Sequence, residues 1–83
     1  MLADTLRQAR RKKGWGARHL SKRSGVSLEV IEQIESGSPS YVPSEGNTAL
    51  LAEALRMPVG SLLVERDRLV ERLAHRGSHG ASA

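Results

Sequence analysis

Apolar residues recur along this 83-residue chain in short clusters at helical spacing, with glycine, proline or serine between one cluster and the next. Leu2, Leu6 and Ala9 stand at i, i+4 and i+7, the stripe of one helix face, and predict a first helix from Ala3 to Lys13 that Gly14 stops. Leu20, with Ser21 beside it, marks a short second helix over Ala17–Arg23. Gly25 then supplies the positive φ of a sharp turn, Val26 packs inward, and Ser27 is placed to cap a third helix. In that helix Val30, Ile31 and Ile34 share one side, Glu29, Glu32 and Gln33 the other, and Gly37 ends it. Ser36 to Ser44 is a loop by its serine, proline and glycine content. Ser44 caps a fourth helix to Leu55, with Leu50, Leu51, Ala54 and Leu55 as its apolar side, and Pro58 breaks the pattern. Ser61 opens a last helix, Leu62–His75, and the small polar residues 77–83 are expected to form a disordered tail.

Composition narrows this to one small all-α domain. Phe is absent, aromatics are 2% of the chain, and Leu, Ala, Val and Ile must fill a single core. Zero cysteines exclude disulfides, thiolate metal sites and a thiol nucleophile. So few rings also argue against a platform for stacking single strands. No run approaches the roughly 20 apolar residues of a membrane span and no signal pattern opens the chain, so a cytoplasmic location without membrane association is expected. His75 and His79 have an i, i+4 spacing, but Gly77 and Gly80 interrupt any helix there, and no metal site is expected. His19 has no carboxylate or nucleophile spaced to orient it, so neither an enzyme nor a cofactor is expected.

Charge is divided along the chain. Residues 1–25 hold Arg7, Arg10, Arg11, Lys12, Lys13, Arg18, Lys22 and Arg23 against Asp4 alone. Residues 26–55 hold Glu29, Glu32, Glu35, Glu45 and Glu53 with no cation, and the overall +4 is the remainder after a mildly basic end. The basic first third points to a polyanion, nucleic acid foremost with acidic lipid or protein behind it. A solvated helix face is the alternative at this level.

Four segments in order carry a resemblance: LRQARRKKGW, HLSKRSGVS, VIEQIESG and PSEGNTALLAEALRMPVGSLL. Together, over residues 2–63, they resemble the Cro and lambda-repressor type of helix-turn-helix domain, the xenobiotic-response-element-like family. The resemblance implies a compact five-helix DNA-binding domain over 1–63. Residues 64–76 follow as a C-terminal helical extension. It further implies a sequence-specific transcriptional regulator of double-stranded DNA, a homodimeric repressor on a palindromic operator, lying on the nucleoid when bound. An antitoxin-like or anti-repressor module that grips a regulatory protein partner is the alternative.

By the same resemblance the third helix enters the major groove, and Ser27, Leu28, Glu29, Glu32 and Gln33 are the base-reading positions. Glu35 corresponds to the position that pairs internally with Arg10. Phosphate contacts are expected from Arg10, Arg11, Lys13, Gly16, Ala17, Arg18 and Lys22, and from Ser38, Ser40 and Tyr41 in the loop. Ala17 stands where relatives often carry a phosphate-clamping Gln. In the last helix, Leu62, Leu69, Val70 and Leu73 form a stripe fit for a symmetry mate, unless the helix folds back over Leu2 and Leu6.

Overall fold

A computed structural model describes residues 1–38 and 40–82, with side chains described through residue 74. The five helices are α1 (Leu2–Lys12), α2 (Ala17–Ser24), α3 (Leu28–Glu35), α4 (Glu45–Ala54) and α5 (Val59–Ser82), and no strand occurs among the described residues. α1 packs on α3 and α5, α2 on α3 and α4, and α4 on α5. Leu2, Leu6, Leu20, Val26, Ile31, Ile34, Leu51, Ala52, Leu55 and Leu62 form the core between them.

Each helix start and stop has a local cause. α1 ends where Gly14, at φ +70°, donates to the Arg11 carbonyl and Trp15 donates to the Arg10 carbonyl, closing the last turn. Its final turn carries Arg10, Arg11 and Lys12, the favourable sign for that end of the dipole. Gly25, at φ +80°, ends α2, and Ser27 accepts from the Val30 N–H to cap α3. The turn between them is clamped at Val26: its N–H donates to Ser24 Oγ at 3.1 Å, and its carbonyl accepts from Ser21 Oγ at 2.6 Å. Both polar backbone groups of a residue whose side chain is buried are thereby satisfied.

In α4 the inward face is Thr48, Leu51, Ala52 and Leu55. Leu50, expected on that face, is 42% exposed, and Ala54 is only partly buried. Adjacent apolar residues leave the phase of such a helix open, and packing against both α2 and α5 decides it. Thr48 can be buried because its hydroxyl donates to the Ser44 carbonyl at 2.8 Å. The helix then ends on Arg56, which takes the left-handed conformation at φ +55°. Its N–H donates to the Glu53 carbonyl and that of Met57 to the Ala52 carbonyl. Glycine is the usual residue there, since a side chain in this conformation costs roughly 1–2 kcal/mol.

α5 begins at Val59 rather than Leu62, because Pro58 with its preset φ suits a helix start and its carbonyl accepts from Ser61. The helix folds back across its own core. Leu62 is fully buried, and Leu69 packs against the same core. Thr5 Oγ1 donates to Glu65 Oε1 at 2.9 Å, and Arg66 Nε donates to the Pro43 carbonyl at 2.9 Å. Leu62 and Leu69 are therefore withdrawn from the stripe expected to meet a second copy. The backbone stays helical to Ser82, past the end expected at His75 and through most of the segment expected to be disordered; no proline after Pro58 blocks it. Ala83 and the side chains of His75 and His79 lie outside the described residues.

The packing phase is testable by urea unfolding. Leu62→Ala is expected to lose about 2–5 kcal/mol, and Leu50→Ala no more than about 0.5 kcal/mol; equal losses would contradict the observed register.

Candidate nucleic-acid interface

α3 buries Ile31 and Ile34 and half-buries Val30, so the remaining arc of the helix faces outward. Ser27, Glu29, Glu32 and Gln33 are exposed on it and Leu28 is half-buried at its start. At 100° per residue, positions 28, 29, 32 and 33 span an arc of about 140°. Four of the five sequence-predicted reading residues thus share one outward ridge, and Ser27 stands at its N-cap. None of its carboxylates makes an ion pair among the described residues.

The ridge is held from behind by Arg10. Its Nε donates to Glu35 Oε2 at 2.8 Å and its Nη2 to Glu35 Oε1 at 2.7 Å, a bidentate pair with both side chains largely buried. Nη1 donates to the Trp15 carbonyl at 3.0 Å, so one guanidinium joins α1, the α1–α2 connection and the end of α3. The hydrogen bonds that Arg10 donates to Glu35 outweigh burial and hold the Arg10 pKa above its ordinary value. Arg7 adds a bond from Nη2 to the Glu35 carbonyl. With all three of its nitrogens engaged internally, Arg10 is an ion-pair residue and is not free for phosphate, a correction to the expectation that it serves both purposes.

α2 presents the second part of the surface. Gly16, its N-cap, provides no side chain to satisfy the first-turn N–H groups, and none of its first-turn residues is acidic. Arg18 and Lys22 are exposed one turn apart on one side, while Ala17 is half-buried. Arg11 is exposed on α1. After α3, Ser40 is exposed and Ser38 half-buried, their hydroxyls 3.1 Å apart. Tyr41 is half-buried, packing against the core and lining a small apolar crevice with Leu2, Ile34, Pro43 and Leu69.

One group of residues went unrecognised in the sequence. Trp15 carries the Lys13 ammonium 5.4 Å and the Arg23 guanidinium 5.3 Å from its ring centroid, and the His19 ring lies 5.0 Å away at a tilt of 53°. Trp15, His19 and Arg23 are four residues apart, a signal visible in the sequence once α2 is placed.

Residues 1–69 match the family described as helix-turn-helix domain, and the chain belongs to that DNA-binding family. No curated protein and no solved structure matches the chain significantly. Among the described residues no helix is long and apolar enough to cross a membrane, and no cluster of potential metal ligands occurs.

The Arg10–Glu35 tie is expected to behave as a unit. Glu35→Ala and Arg10→Ala are each expected to lose about 3 kcal/mol of stability. The double variant Arg10→Met with Glu35→Leu is expected to recover most of that loss in urea unfolding. Additive losses in the double variant would show that the two side chains act independently.

Proposed function

We propose that this chain is a sequence-specific regulator of double-stranded DNA, of the Cro and lambda-repressor type, acting as a homodimeric repressor. The observation that carries this is the outward ridge of Leu28, Glu29, Glu32 and Gln33, with Ser27 at its N-cap, on a helix pinned by the Arg10–Glu35 pair, together with a start of α2 that has no side-chain cap. In the major groove Gln33 bonds adenine at N6 and N7, Leu28 packs on a thymine methyl and Glu29 accepts from a cytosine amino group. Free N–H groups at residues 16–18, with Arg11, Arg18, Lys22 and the loop hydroxyls of Ser38 and Ser40, bind phosphate and set the register. The basic α1 and α2 offset the repulsion of Glu29 and Glu32 from the backbone.

A single head reads only a half-site, so two copies related by a two-fold axis read a palindrome about one helical turn apart. With Leu62 buried and Leu69 packed against the core, the pairing surface falls to Val70, 40% exposed, and half-buried Leu73. Glu29 and Glu32 favour a second reading, in which the ridge grips a protein partner with complementary cations. Steep salt dependence and selection of a palindrome distinguish the first reading from this one.

Selection of bound duplexes from a random pool tests the assignment directly. Gln33→Ala is expected to lose roughly 1–3 kcal/mol of base discrimination at one position of each half-site. Arg18→Ala is expected to weaken all sequences alike and to lower the salt slope by about 1. Unchanged preference in the Gln33 variant would overturn the base-reading role. Val70→Asp is expected to give a monomer by sedimentation, with its helical circular dichroism intact and its preference for the palindrome lost. A Val70→Asp dimer would move the interface elsewhere.

A further inference from the structure

The α1–α2 connection, the end of α2 and the end of α4 enclose an open cleft of about 420 Å³ lined by Lys13, Trp15, Arg23, Ala54 and Arg56. Three cations and no acid face it, and none of the three enters an ion pair among the described residues. Trp15 is one of its lining residues, and Lys13 and Arg23 make cation–π contacts with its ring. No residue of α3 contributes to the cleft. On α2, Arg23 stands about 100° around the helix from Lys22, the side that the proposed DNA surface uses.

Arg56 is the telling residue. The bonds that close α4 there are made by backbone groups, from Arg56 N–H to Glu53 and from Met57 N–H to Ala52, and glycine would make them without strain. What the arginine adds is a guanidinium at a cleft that already holds two cations. Three exposed cations lining one cleft, with no acid among the lining residues, suit an anion.

We propose that this cleft is a polyphosphate site, taking inorganic pyrophosphate or the pyrophosphate group of a nucleotide between Lys13, Arg23 and Arg56. A single phosphodiester carries one negative charge and leaves most of this cationic charge unmatched, whereas a pyrophosphate group matches it and offers acceptors to both guanidinium forks. The cleft volume lies within the roughly 300–1,000 Å³ range of small-molecule sites.

Trp15 is the sole tryptophan, so its emission reports occupancy without a label. The full chain is titrated at constant ionic strength with pyrophosphate, ADP, adenosine and sulfate. Pyrophosphate and ADP are expected to give saturable changes, adenosine none, and sulfate binding weaker by about tenfold or more. Arg56→Gly is expected to weaken pyrophosphate binding about tenfold while its urea midpoint stays level or rises, since the strain is relieved. Arg23→Gln is a second variant with the same expected loss, and Arg68→Gln, exposed on α5 and outside the cleft, is expected to bind as the parent does. Gln33→Ala, which alters DNA preference, is expected to leave the titration unchanged, so the two proposals fail separately. A response that does not saturate, one that survives Arg56→Gly at full strength, or one produced by duplex DNA alone would overturn the polyphosphate site.

Discussion

Everything on the outer face of this domain depends on where Arg10 spends its hydrogen bonds. The guanidinium emerges from the last turn of α1, grips both carboxylate oxygens of Glu35 at the end of α3 and ties down the carbonyl of Trp15 between α1 and α2. Three segments distant in sequence are thus referred to one planar group, whose fork geometry tolerates little rotation. The outward ridge is the free side of the helix so held, and Trp15, whose backbone carbonyl is fixed by the same residue, lines the cationic cleft. Removing this tie would loosen two surfaces at once.

The acidic character of α3 looks different in this light. Of its three glutamates, Glu35 is consumed internally, while Glu29 and Glu32 remain exposed. The cations of α1 and α2 are likewise divided: Arg7 and Arg10 brace Glu35, Arg18 and Lys22 stand outward on α2, and Lys13 and Arg23 gather on Trp15. A net charge of +4 conceals this allocation, because the charge along a chain says nothing about which groups neutralise one another across it.

Glycine and serine placed most of the local punctuation legibly. Gly14, Gly25 and Gly37 each take positive φ, and Ser27 and Ser44 each accept the expected capping bond. Such features depend on a few adjacent residues, so sequence suffices to find them. The ridge on α3 was legible for a related reason: its buried residues sit at unambiguous spacing, and the outward positions follow from them. Resemblance supplied the ion pair, which no spacing argument reaches across the residues between α1 and α3. Arg10 shows where it misled, since that residue is credited with phosphate while the fold uses it internally.

What the sequence determined by itself is therefore local: five helices, most of their boundaries, and the outward arc of α3. Tertiary structure decided the rest. It turned α4 so that Thr48 and not Leu50 faces inward, and it laid α5 back on the core so that Leu62 and Leu69 are spent within the protomer. It also placed Arg56 on the same cleft as Lys13, Arg23 and Trp15. The physical reason is common to all three. A helical repeat fixes which residues share a face, but which face is buried depends on the total apolar area removed from water when all the helices pack at once.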